Sequence, residues 1–160
     1  MEFLLKITII LSLLGITLQD FKERKVYVWL FILSGFLLGF LHFNKVFYQS
    51  FILTTIINCS IVFTVIFVLY IYAKTILKKP LQKTFGMGDF LFFIVLAIGF
   101  PTATFLVLFS FSLLFSLILY FILKNRLKHK TVPLAGLQAL FVCLIFISNW
   151  VFNFSNLYTI

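Results

Sequence analysis

Acidic residues are rare in this 160-residue sequence: Glu2, Asp20, Glu23 and Asp89 are all it contains. The two aspartates lie at the ends of apolar runs. Two carboxyl groups held at one level can share a proton, so that the ionised group takes a proton from water while the protonated group polarises a carbonyl. The two aspartates therefore predict a site for peptide-bond hydrolysis, provided that the fold brings them together.

The residues before Asp89 strengthen this hypothesis, because they form the sequence Gly-Met-Gly-Asp at positions 86–89. Glycine has no side chain, so another chain could approach the backbone closely beside the carboxylate. We therefore predict that Gly86 and Gly88 contact an extended substrate. We also expect Gly88 to lie outside the packed helix interfaces.

A structural interpretation of each aspartate stays open. Asp20 could cap the loop that follows the first apolar run. Asp89 could cap the helix that follows it, where a negative charge interacts favourably with the helix dipole.

The other residues with metal-binding or acid–base side chains give no comparable pattern. Cys59 and Cys143 lie in apolar runs with no Cys or His at metal-ligand spacing, so we expect inert thiols, no metal and no cofactor. His42 near the outer surface and His129 in a basic loop are both expected to be solvated.

Composition identifies the solvent in which these residues must be positioned. Hydrophobic residues make up 63% of the chain and charged residues 11%, whereas soluble domains have roughly 45–50% and about 25%. A soluble domain is therefore excluded, and the bilayer is the implied solvent. The net charge is +9, and in a membrane protein such an excess of Lys and Arg is typical of cytoplasmic loops. No basic helix face or aromatic RNA-binding motif accompanies it, so no nucleic-acid partner is expected.

The apolar runs predict an all-α integral membrane protein, a bundle of six transmembrane helices in one domain over residues 1–160. From position 86 to position 123 there is no Lys or Arg, and one helix of that length would far exceed the ~30 Å core. The break is predicted at Gly99-Phe100-Pro101-Thr102. The predicted spans are 3–18, 26–43, 51–72, 89–100, 102–123 and 132–152.

Charge counting supports six spans. The loops after the first, third and fifth spans hold eleven of the thirteen Lys and Arg residues, and only Lys6 and Lys45 lie on the other side. A five-span alternative would place the 74–83 and 124–130 loops on opposite faces. We therefore expect cytoplasmic basic loops and both termini outside. Asp20 and Asp89 then both lie at cytoplasmic helix ends.

The fourth span is unusually short, with 12 residues or roughly 18 Å of helix against a core of ~30 Å. Asp89 should therefore lie below the headgroups, where an ionisable group costs about 2.5–3.5 kcal/mol unless it is paired or wetted. An acidic residue at that depth is a candidate functional residue.

Three stretches of the sequence resemble the type IV prepilin peptidases, a family of GxGD intramembrane aspartic proteases. These are the DFKERKV sequence at 20–26, the GMGD box at 86–89 and the VPLAG opening of the last span at 132–136. The resemblance covers essentially the whole chain. Tyr27 replaces the usual Pro, and the tetracysteine zinc domain of larger members is absent. The resemblance therefore leaves open whether the N-methylation activity of those members is present.

The resemblance implies a membrane aspartic endopeptidase that cleaves the leader of prepilin-like precursors, typically after Gly, at the cytoplasmic face of the inner membrane. Asp20 and Asp89 would be its catalytic pair.

Two further classes of function stay open from the sequence: an inert membrane scaffold and a small transporter whose aspartates are structural. A transporter should carry ionisable groups near the midplane, and here the mid-span residues are Phe, Leu and Ile. Membrane lipids are the other expected partners. Small residues four apart, at Gly35 and Gly39 and at Ser112 and Ser116, favour packing within the bundle over a homodimer interface, so a monomer or a possible homodimer is expected.

Overall fold

The structure, a computed structural model, describes residues 2–76, 78, 85–124, 132–152 and 157–158. Within these ranges every regular element is an α-helix. There are six: α1 (Glu2–Glu23), α2 (Val28–Lys45), α3 (Tyr48–Thr75), α4 (Met87–Gly99), α5 (Thr102–Leu123) and α6 (Leu134–Phe152).

Five of these helices are long and apolar enough to cross a membrane, and α4 is a shorter apolar helix. Their outer faces expose large hydrophobic side chains such as Phe36, Phe67 and Phe121, which water would disfavour and lipid would accommodate. The all-α prediction is confirmed for the described residues, and the long apolar helices indicate a multi-pass membrane protein.

The helix boundaries agree with the predicted break. Helix α4 ends at Gly99 and α5 begins at Thr102, with the Phe105 N–H donating to the Pro101 carbonyl at 2.8 Å. Helix α1 continues to Glu23, beyond the predicted end at residue 18. Asp20 therefore belongs to the helix and not to the loop. The cations at 79, 83 and 126–130 lie outside the described residues.

Helix α4 lies inside the bundle, in contact with α2, α3, α5 and α6. Its contact with α2 is close because α2 presents glycines to it. A Cβ on Gly39 would lie 2.8 Å from Cγ2 of Ile98, and one on Gly35 would lie 3.5 Å from Cγ2 of Val95. The prediction that these glycines pack within the bundle is confirmed.

The serine pair of α5 also faces the interior. Ser112 and Ser116 are both fully buried, and Nε2 of Gln138 on α6 donates to the Ser112 hydroxyl at 3.2 Å. This contact confirms the expectation that the pair packs between helices of one chain.

The far end of α4 needs hydrogen-bond donors, because this helix ends inside the bundle, where Phe100 is fully buried. The last carbonyls of a helix have no partner within it. Asn58 of α3 supplies two donors, to the Ala97 carbonyl at 3.0 Å and the Phe100 carbonyl at 2.8 Å. His42 of α2 bonds the Ile98 carbonyl through Nδ1 at 2.9 Å.

The expectation that His42 is solvated is therefore wrong. Its side chain is fully buried, and its ring lies 5.0 Å from that of Phe51 and 5.9 Å from that of Tyr158. The position of His42 near the end of an apolar run predicted that its side chain lies at the surface. Because α4 is short and ends inside the bundle, it leaves a buried carbonyl to which an imidazole N–H can donate.

We predict that Asn58→Leu lowers the free energy of unfolding by about 1–3 kcal/mol, because it leaves two buried carbonyls without donors. Reversible unfolding in mixed detergent–SDS micelles measures the change. Thr64→Val on the same helix is the control, since the Thr64 hydroxyl is exposed and bonds only the Ser60 carbonyl one turn away. An equal loss in both variants would contradict this role of Asn58.

Candidate functional site

Asp20 lies in the last turn of α1, and its side chain is almost completely buried. Its Oδ2 accepts a hydrogen bond of 2.7 Å from the backbone N–H of Gly136, in the first turn of α6. Its Oδ1 accepts none from any described residue. One oxygen is thus fixed by the last helix while the other stays available.

Asp89 lies in the first turn of α4 and makes two hydrogen bonds. Its Oδ1 accepts from the N–H of Ala135 at 2.8 Å, and its Oδ2 accepts from the N–H of Gly86 at 3.2 Å. The second bond caps the start of its own helix, as the structural interpretation expected. The first bond joins Asp89 to α6, which a helix cap alone does not explain.

The two aspartates are therefore bound to adjacent peptide groups, those of Ala135 and Gly136. Both amides belong to the first turn of α6, where N–H groups have no acceptor within the helix and the helix dipole favours negative charge. Pro133 precedes this turn, and its carbonyl accepts from the Leu137 N–H at 3.0 Å. The start of α6 thus brings together carboxyl groups from α1 and α4.

Gly136 allows α1 and α6 to approach this closely. A Cβ at this position would lie 2.8 Å from Cβ of Asp20 and 3.3 Å from the carbonyl oxygen of Thr17. The Thr17 hydroxyl also donates to the Gly136 carbonyl at 3.2 Å. Any larger residue would separate the helices at the point where Asp20 is held.

The two predicted substrate-binding glycines occupy different environments. Gly86 is exposed next to Asp89, and a Cβ there would lie 3.0 Å from Oδ2 of that residue. Gly88 is half-buried, and its Cβ would contact Phe31 of α2 at 3.5 Å and Ala135 of α6 at 4.0 Å. The expectation that Gly88 lies outside the packed interfaces is wrong, because the helix begins at Met87 and turns Gly88 inward.

A further charged group, Arg24, lies beside the aspartates. Burial lowers the pKa of its guanidinium, while electrostatic interaction with Asp20, Asp89 and Tyr120 opposes that shift. All three side-chain nitrogens are buried, and none has a hydrogen-bond partner among the described residues. Among the described residues, Arg24 thus contributes a positive charge close to the carboxyl pair.

Sequence analysis did not select Thr17. It included Arg24, Ala135 and Gly136 only as members of the 20–26 and 132–136 stretches and gave them no role. The available signal was Pro133, which marks the start of a helix and hence a set of free N–H groups near the last basic loop. It could not indicate which side chains those groups bind.

No group of three His, Cys, Asp or Glu side chains within the described ranges is placed to hold a metal ion. Cys59 and Cys143 are free thiols.

Comparisons of this chain with protein-family models, curated proteins and solved structures gave no significant match.

Proposed function

We propose that this protein is a membrane-embedded aspartic endopeptidase that uses Asp20 and Asp89 as its catalytic pair. The observation that supports the proposal best is the binding of both carboxyl groups to adjacent N–H groups of α6. These bonds bring two acids from different helices to the same turn of α6. The short length of α4 favours a position below the headgroups, where lone carboxyl groups are costly.

The proposed mechanism requires the pair to hold one proton. The ionised carboxyl accepts a proton from a water molecule, whose oxygen attacks the scissile carbonyl carbon, while the protonated carboxyl donates a hydrogen bond to the carbonyl oxygen. When the C–N bond breaks, a carboxyl returns a proton to the departing amine. The N–H groups of Ala135 and Gly136 keep the two acids oriented throughout.

For the substrate we propose the leader of prepilin-like precursors, cleaved at the cytoplasmic face of the inner membrane. This choice rests on the three stretches at 20–26, 86–89 and 132–136 that resemble prepilin peptidases. Gly86, exposed beside Asp89, would lie along the extended substrate backbone. Gly88 would act indirectly, by allowing α4 to pack against α2 and α6.

The test is incubation of the purified protein in lipid vesicles with a precursor that has a basic leader, a Gly at the junction and a hydrophobic helix. We expect a smaller product whose N-terminus, read by mass spectrometry, begins immediately after that Gly. Intact precursor after long incubation with several such substrates would overturn the proposal and favour an inert membrane scaffold.

The proposal also requires both aspartates to face the cytoplasm. Single cysteines at positions 25, 78 and 45, in a variant with Cys59→Ala and Cys143→Ala, report sidedness through a membrane-impermeant maleimide. We predict that positions 25 and 78 are labelled from the cytoplasmic side and position 45 from the other. Labelling of positions 25 and 78 from opposite sides would contradict the six-span topology. Position 128, outside the described residues, is a fourth probe, and its labelling from the side opposite to position 78 would favour the five-span alternative.

A further inference from the structure

Arg24 occupies a backbone conformation that favours glycine. It follows the last residue of α1 with a φ of 56°, in the left-handed region, and its N–H donates to the Asp20 carbonyl at 3.3 Å. This is the usual geometry of a glycine that ends a helix. The backbone of an arginine is less stable in this conformation than that of a glycine. The presence of the arginine side chain therefore needs a physical explanation.

The side chain turns towards the interior and not towards solvent. Its guanidinium nitrogens are buried, whereas the neighbouring Lys22 and Lys25 are exposed. Lys78, which also has a positive φ of 50°, is exposed as well. Among these four cations, Arg24 alone brings its charge beside the carboxyl pair.

Among the residues that the structure describes, the charges near the pair can be counted. Arg24 interacts electrostatically with Asp20 of α1, Asp89 of α4 and Tyr120 of α5. Glu23, the remaining acid at this end of α1, is exposed. With one shared proton the pair carries a charge of −1, which the guanidinium cancels. The doubly protonated pair would leave the buried cation unbalanced, and the fully ionised pair would leave a net negative charge.

We propose that Arg24 is a positioning residue whose charge keeps the Asp20–Asp89 pair in its singly protonated form. The inference deepens the proposed function and rests on it for its catalytic meaning. Because no hydrogen bond joins the guanidinium to any described residue, the interaction is one of charge. Lysine should therefore replace arginine in part, and a neutral side chain should not.

The experiment compares Arg24→Gln, Arg24→Gly and Arg24→Lys with wild type in two readouts. Infrared difference spectroscopy follows the protonated carboxyl band against pH, with Asp20→Asn and Asp89→Asn variants to assign it. The pH profile of precursor cleavage is measured in parallel. Lys25→Gln removes an exposed charge one residue away and is the matched control.

We expect Gln and Gly to move the carboxyl titration and both limbs of the cleavage profile to higher pH by about 1 unit, because loss of a nearby cation favours the protonated acids. Arg24→Lys should show only a small part of this shift, and Lys25→Gln should show none. Arg24→Gly should have a melting temperature at least equal to that of wild type, since glycine adopts the left-handed conformation without strain.

The two proposals fail in different ways. A carboxyl titration unchanged in both Arg24→Gln and Arg24→Gly, with cleavage still present in wild type, would overturn the role of Arg24 and leave the peptidase proposal intact. If the Arg24 variants shift the carboxyl titration but the wild-type protein cleaves no precursor, the electrostatic role of Arg24 is supported and the peptidase assignment is removed.

Discussion

Asp20→Asn and Asp89→Asn should each reduce precursor cleavage by at least about 100-fold, which is the lower range for loss of a general acid or base. Asparagine keeps the size of aspartate and retains an oxygen that accepts a hydrogen bond. The N–H groups of Ala135 and Gly136 therefore keep an acceptor, and in Asp89→Asn only the exposed Gly86 N–H loses its bond. The folded protein should accumulate at close to wild-type levels. Proton transfer is the property that the variants lose.

The double variant provides a sharper test, because two groups that act as a unit give strongly non-additive losses. We expect the double variant to be little worse than either single variant. Rates are measured in vesicles at equal amounts of folded protein. Glu23→Gln, which alters an exposed acid near Asp20, is the matched control and should cleave normally. Undiminished cleavage in both single variants would rule out the aspartic mechanism.

The second large effect is expected at Gly136. The added Cβ of Gly136→Ala would meet both Cβ of Asp20 at 2.8 Å and the backbone oxygen of Thr17 at 3.3 Å, so α6 must move away from α1. A displacement near 1 Å at a reacting group can cost about 100-fold in rate. We therefore predict a loss of cleavage of about that size, without loss of either carboxyl group.

Gly35→Ala is the control for this substitution. It adds the same methyl group to a buried helical glycine, but at 3.5 Å from Cγ2 of Val95, an ordinary contact distance. It should leave cleavage within a few-fold of wild type. Equal cleavage by Gly136→Ala and wild type would mean that the contact between α1 and α6 does not position Asp20.

The fold class and the chain reversal were determined by the sequence alone. Long apolar runs have only two ways to satisfy their backbone hydrogen bonds in lipid, as helices or as closed barrels, and these runs lack barrel alternation. Pro101 interrupts the uncharged stretch and forces two helices from it, α4 and α5. Alternating charge in the loops also predicted that Asp20 and Asp89 lie at the same end of the bundle.

Tertiary structure decided what surrounds the two aspartates. The bond from Gly136 to Asp20 joins residues 116 positions apart, and the bond from Ala135 to Asp89 joins residues 46 apart. Local pattern carries no information on such pairings, because any free N–H group at a helix start could bind either acid. The inward orientations of Gly88, His42 and Arg24 have the same origin: each depends on where a neighbouring helix begins or ends in space, and only packing fixes that.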